Sequence, residues 1–267
     1  MKIPFFIVDT FTSFPFQGNP TGVCVLDHSL DASSMLSIAQ ELQFPVSAFI
    51  QKKEAAHFYI QYYTQTTEIP ACGHATLAAA KVVFEFEKYR QLQFFTIEGI
   101  QIEVEQDSEI IWMKYPRYEL EDWVLNPKIL ASLGLKKHVK LGFCTALESL
   151  FIEIAEPGIL RNLQPSFSSM IAADSSLKEV VVMSPSDDPE FDFLLRSFCP
   201  WIGIDEDPVT GSVHSVLAHY WQQKLKKQQL KAFQCSQRGG EVYVMALPDR
   251  VELGGKVVML VKGTLAL

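Results

Sequence analysis

Two stretches of this chain cannot be ordinary surface helices. Residues 77–84 (Leu-Ala-Ala-Ala-Lys-Val-Val-Phe) and residues 213–221 (Val-His-Ser-Val-Leu-Ala-His-Tyr-Trp) have helical character and almost no charge. A helix that is apolar nearly all round has to be covered nearly all round. Many short strands wrapped around one central helix supply such a cover, and two such helices call for two such wrappings. Each run follows the same device: an acidic residue, Pro-x-x-Gly, and a short polar stretch. The first copy is Glu68-Ile69-Pro70-Ala71-Cys72-Gly73-His74-Ala75-Thr76, and the second is Glu206-Asp207-Pro208-Val209-Thr210-Gly211-Ser212. Proline and glycine punctuate a turn, and a small polar residue suits a helix start. A helix N-terminus carries unpaired N–H groups and partial positive charge, so it attracts anions. The repeat therefore predicts a site for a small carboxylic acid between two related halves.

Composition narrows the function classes. The chain is 48% hydrophobic and 20% charged, enough apolar content for a substantial core. A formal charge of −8 argues against a nucleic-acid footprint. The five cysteines, Cys24, Cys72, Cys144, Cys199 and Cys235, are odd in number, widely spaced and without a C-x-x-C pair. That pattern favours reduced thiols over a disulfide framework or a zinc site. The apolar run at residues 3–9 is too short for a signal peptide, and no stretch approaches the roughly 18 apolar residues of a membrane span. A cytoplasmic protein with no membrane partner and no bound metal is expected.

Local patterns place the remaining elements. Residues 3–9, 22–26, 48–51, 58–63, 94–97, 101–105 and 110–114 read as strands, with 16–22 as a loop. Asp31 and the serines after it cap a helix whose apolar positions are Met35, Leu36, Ile38, Ala39 and Leu42. Residues 116–126 form the candidate junction between halves 1–118 and 119–267, the last few residues being free to return to the first half. Residues 127–133 and 190–198 read as helices. Residues 149–154, 179–183, 241–247, 250–253 and 256–261 read as strands. The central helices should start near 74 and 212.

These residues resemble a known family. Cys72-Gly73-His74-Ala75-Thr76 and Glu206-Asp207-Pro208-Val209-Thr210-Gly211-Ser212 look like the two signatures of the PhzF-like (phenazine-biosynthesis-like) isomerases. Phe16-x-Gly18-Asn19-Pro20 after Phe-x-x-Asp-x-Phe is similar to a third, and residues 233–240 and 263–265 extend the likeness over nearly the whole chain. The resemblance implies an α+β fold of the diaminopimelate-epimerase type, with two pseudo-symmetric halves. Each half would be a barrel-like, mostly antiparallel sheet around a central helix. It also implies a homodimer and a cofactor-independent isomerase. The family's catalytic glutamate lies in a Ser-Glu-Thr-Ala-Phe segment, matched here by Pro45-Val46-Ser47-Ala48-Phe49, so Val46 stands at the acid/base position.

Moving a proton next to a carboxylate requires a base, an acid and a group that stabilises enolate-like charge. His74, Asp207 and Cys72 are the candidates for catalysis. His74 titrates near neutrality and sits at a helix start, although it could simply cap the turn. Asp207 could accept a proton or compensate helix-end charge. Cys72 could be a lowered-pKa thiol or a small buried side chain; epimerases of this fold use paired cysteines, and the second turn offers none. Gly73, Gly211 and Ser212 are candidate ligand binders, with Asn19 and Ser47 as further lining residues. His214 and His219, five positions apart, read as core histidines. Three functions remain open: a small-acid isomerase impaired by Val46, a silent relative that binds a small anion or a protein, and a Cys72–His74 acyl-transfer enzyme.

Overall fold

The computed structural model describes residues 1–267, and the chain falls into two compact units. One is Met1–Lys114 together with Leu253–Leu267, and the other is Tyr115–Glu252. The first crossing thus lies at 114/115 and not at 118/119, and the return takes all of 253–267 instead of the last few residues. Strand pairing explains the return: the closing strand lies antiparallel on the opening one, with Lys2 opposite Ala266 and Ile7 opposite Val261.

The first unit runs β1 (Lys2–Thr10), β2 (Asn19–Leu26), α1 (Ala32–Leu42), β3 (Val46–Glu54), β4 (His57–Tyr63) and β5 (Glu68–Ile69). It continues with α2 (Gly73–Phe86), β6 (Gln91–Phe95), β7 (Gln101–Asp107) and β8 (Ile110–Pro116). The second unit holds α3 (Pro127–Ser132), β9 (Lys140–Cys144), β10 (Ser149–Glu153), α4 (Pro157–Arg161), α5 (Phe167–Ala173), β11 (Glu179–Pro185) and β12 (Phe193–Phe198). After them come α6 (His214–Leu225), β13 (Gln229–Gln234) and β14 (Gly240–Ala246). β15 (Arg250–Gly255) then leads the chain back to β16 (Val257–Ala266).

The two units repeat one pairing pattern. In the first, β1–β2 is antiparallel, β2–β3 parallel, β3–β4 antiparallel, β4–β6 parallel and β6–β7 antiparallel. In the second, β9–β10, β10–β11, β11–β12, β12–β13 and β13–β14 follow the same alternation. Parallel neighbours need a crossover. Helix α1 and the pair α4–α5 provide the first crossover of each unit, and α2 and α6 provide the second. The α2 segment is buried from His74 to Ala80 and packs on β1, β2, β3, β7 and β16. Helix α6 is buried from His214 to His219 and packs on β13 and β14.

One element differs in type. Residues 190–198 read as a helix, yet Phe193–Phe198 is strand β12, with all six residues buried. It lies between β11 and β13 and is covered on both faces, so its sequence, Phe-Leu-Leu-Arg-Ser-Phe, carries no apolar–polar alternation. Such a run does not distinguish strand from helix by period. The loop expected at 16–22 is shorter, because Asn19 to Gly22 already pair with β1.

Alternation along β3 sorts the residues that matter. Phe49 and Tyr63 join Cys24, Ile38 and Met35 in a core on the α1 side. Tyr62 reaches α2, where its hydroxyl meets Thr76 Oγ1 at 2.6 Å. Successive strand residues face opposite ways, so Val46, Ala48 and Thr21 share the α2 face, while Ser47 shares the α1 face.

Candidate active site

In the first unit the candidate residues gather at the start of α2. Cys72 is the N-cap residue and makes no side-chain cap bond. The first intrahelical bond runs from Thr76 N–H to the Cys72 carbonyl at 3.0 Å, so the N–H groups of Gly73, His74 and Ala75 precede the ladder. Thr76 Oγ1 also donates to the Cys72 carbonyl at 2.7 Å, and the buried Tyr62 hydroxyl completes the chain by donating to Thr76. Three residues on two elements thus hold one turn rigid.

His74 is 8% exposed, and burial pulls its imidazole down to about 4. It is therefore neutral at pH 7, able to donate through one ring nitrogen and accept through the other. Its Nδ1 lies 3.4 Å from Cys72 Sγ. A thiolate–imidazolium pair needs a basic imidazole, and this one is not, which removes the support for acyl transfer on Cys72.

The loop leading to β2 is fixed by backbone geometry. Asp9 Oδ2 accepts the Phe16 N–H at 2.8 Å, and Thr10 Oγ1 donates to the Asn19 carbonyl. Gly18 has φ +68°, and a Cβ there would lie 2.0 Å from the Thr10 carbonyl oxygen, so only glycine fits. Asn19 is consequently held fully buried at the head of β2. Val46, also buried, sits opposite Thr21 on the α2 face, and the Thr21 hydroxyl beside it is buried without a protein partner. Ser47 does not join them. Pleating turns it toward the α1 layer, away from the face it was expected to line.

The second unit starts its central helix later than expected. Ser212 was the anticipated start, but α6 begins at His214 with Val213 as N-cap. His214, Ser215 and Val216 each donate to the residue three positions back, namely Gly211, Ser212 and Val213. The turn tightens into a 3₁₀ lead-in, which shifts the regular ladder by two residues. The N–H groups of Gly211, Ser212 and Val213 therefore precede it, as those of Gly73–Ala75 do in the first unit.

Asp207 accepts from Thr210 Oγ1 at 2.6 Å, and its N–H donates to the Ser197 carbonyl at 3.1 Å. The fully buried Gln234 clamps this turn from β13. Its Nε2 donates to the Asp207 carbonyl at 2.7 Å, and its Oε1 accepts the Thr210 N–H at 2.9 Å. Ser236 Oγ adds a bond to the Pro208 carbonyl at 2.6 Å. Glu206 is not available for chemistry: it forms a two-pronged pair with Arg196 at 2.7 and 2.8 Å, both side chains largely buried. His214 Nδ1 lies 3.1 Å from the Thr210 carbonyl, and His219 Nε2 lies 2.7 Å from the Leu247 carbonyl, as suits core histidines.

Gly73, His74, Cys72, Asn19 and Val46 thus belong to the first unit, and Asp207, Gly211 and Ser212 to the second. Tyr62 and Gln234 carry geometry that reading the sequence did not assign. Gln234 lies inside residues 233–240, so its signal was present as a motif without a role. Tyr62 gave none, since its partner is set by strand register.

The chain is similar to known proteins in sequence and fold. The sequence profile of the family described as phenazine biosynthesis-like protein matches residues 8–263. Phenazine biosynthesis-like domain-containing protein 1 of Mus musculus is 34% identical over 286 residues, covering 99% of each chain. An uncharacterized isomerase of Halalkalibacterium halodurans is 34% identical over 271 residues, covering 100% of both. The structure of a phenazine biosynthesis protein of the PhzF family from Enterococcus faecalis matches with a TM-score of 0.93 at 33% identity, covering 100% of both chains. A hydroxyproline epimerase from Agrobacterium vitis matches in fold alone, with a TM-score of 0.58 at 10% identity over 99% of this chain and 91% of that one.

Proposed function

The chain belongs to the phenazine biosynthesis-like protein family, and from that premise we propose that it is an isomerase that moves a proton on a small carboxylic acid without a cofactor. The observation that carries this reading is the start of α2, where three N–H groups precede the helical ladder beside a neutral, buried His74. Such a helix end binds a carboxylate and stabilises the enolate-like charge that forms when the neighbouring carbon loses a proton. His74 donates to the ligand or accepts from it; in the second unit Asp207, oriented by Thr210, is the carboxylate able to take up a proton. The turn at Gly211 and Ser212 offers a comparable set of N–H groups within the second unit. Cys72 serves as the cap of the turn and as a neighbour of His74, not as a nucleophile.

Val46 supports the second reading, a silent relative that binds a small anion. A buried valine cannot transfer a proton, and loss of a positioned acid or base lowers rates by about 10²- to 10⁴-fold.

Incubation in D₂O with a panel of small 2-amino acids and unsaturated acids, followed by proton NMR, separates the two readings. The isomerase reading expects deuterium to enter at least one acid and His74→Ala to abolish it. An acid that binds saturably and never exchanges would leave the silent binder. We further propose a homodimer in the cytoplasm; light scattering should give twice the 30.1 kDa chain mass.

A further inference from the structure

Val46 and Glu179 hold the same place in the two strand patterns. Each is the first residue of the strand that follows the first crossover of its unit, β3 in one and β11 in the other. Each lies opposite a hydroxyl residue on the parallel neighbour, Thr21 for Val46 and Ser149 for Glu179. Each faces its unit's central helix. For β11 this follows from pleating: Glu179 shares a face with Val181 and, across the ladder, with Ser197 and Phe193, and Phe193 stacks on Trp221 of α6. The opposite face, with Val180, Val182 and Phe198, forms the outer core.

The two places differ in chemistry. In the first unit a valine lies beside a hydroxyl with no partner. In the second unit a carboxyl meets two hydroxyls. Ser197 Oγ donates to Glu179 Oε1, and Ser149 Oγ lies 2.8 Å from Glu179 Oε2. Ser149 has one proton and a second acceptor in range, the Leu147 carbonyl at 2.9 Å. Both contacts are satisfied together if Ser149 donates to Leu147 and a protonated Glu179 donates to Ser149. Glu179 is half-buried as a residue, and burial pushes its carboxyl up against the lowering effect of the two serine hydroxyls. Ser197 also connects it to Asp207, whose N–H donates to the Ser197 carbonyl. Burial pushes the Cys199 thiol up, and the charges of Glu179 and Asp207 push the same way.

We propose that Glu179 is the acid/base carboxyl of this chain, doing at the head of β11 what Val46 cannot do at the head of β3. The proposal rests on the isomerase reading. In the step, Asp207 takes the proton from the ligand carbon, and the O–H of Glu179 breaks as a new C–H bond forms at the receiving carbon. The proton count of the ligand is unchanged, and exchange with water resets both carboxyls.

The test compares deuterium incorporation by the full-length wild type and by Glu179→Gln across pH 5–9, with the acid that exchanges fastest. Glutamine keeps the shape and can still pair with both serines, so the urea midpoint should stay put. The exchange rate should fall by about 10²-fold or more, and the residual rate should lose the pH limb set by the carboxyl. Unchanged exchange in Glu179→Gln overturns this inference and leaves the isomerase reading standing. No exchange by wild type with any acid removes both. If Glu179→Gln fails to fold, Glu179→Asp replaces it; a slower rate with a shifted pH limb supports the role, and an unaltered profile overturns it.

Discussion

At the scale of single residues, Val46 invites the most direct experiment. It begins β3, faces α2 and lies opposite Thr21, whose buried hydroxyl has no protein partner. Val46→Glu would place a carboxylate where that hydroxyl can donate to it, and enclosure would raise its pKa toward the range useful at neutrality. Deuterium incorporation should rise by about tenfold or more, read by proton NMR; an unchanged rate would remove position 46 from the proton path. Because pleating already turns this position toward α2, Pro45 need not be altered to aim it.

His74 and His214 carry a second residue-scale expectation. Burial lowers both to about 4, below the 6.5 of a free imidazole. The unfolded chain therefore binds protons that the folded chain refuses between these values. Stability is complete above about pH 6.5 and declines as pH falls toward 4, by up to about 1.4 kcal/mol per pH unit for each histidine. Urea unfolding from pH 7 to 4 should show this slope, and His74→Asn should remove about half of it.

At the scale of elements, the second turn depends on one buried side chain from another strand. Gln234→Leu would strip partners from the Asp207 carbonyl and the Thr210 N–H together. Unsatisfied buried groups of this kind cost about 1–3 kcal/mol each, so urea denaturation should report a loss of about 2–6 kcal/mol. Exchange activity should fall too, since Asp207 would lose its fixed direction. The elements were legible in uneven measure. Helix α1 announced itself through Asp31, whose Oδ1 accepts the Ser34 N–H at 2.9 Å, and through its one apolar stripe. Strand β12 did not, because a strand buried on both faces loses the period-two signal. The start of α6 was displaced for a related reason: 3₁₀ bonds back to Gly211 are a choice of backbone geometry that no residue type dictates.

At the scale of the whole molecule, the chain closes on itself. β16 pairs along the full length of β1, and the first unit therefore includes Leu253–Leu267. Deleting residues 257–267 should leave β1 as an unpaired apolar edge, and the truncated chain should be recovered mainly as insoluble protein. A soluble truncation with the wild-type urea midpoint would mean that β16 contributes little to the first unit.

What the sequence settled by itself was periodic or motif-borne. The two apolar helices needed cover on all sides, and the two Pro-x-x-Gly turns marked where their N-termini would emerge. Those features are local, so a few consecutive residues suffice to express them. Register and facing are not local. That Ser47 turns away from Val46, that Tyr62 locks the turn at Cys72, and that Glu179 stands where Val46 stands in the other unit all depend on which strands pair and in which phase. A side chain's face reverses with each residue along a strand, and its partners come from segments tens of residues away. Only the folded chain brings those segments together, so only tertiary structure decided which polar groups share a face with the central helices.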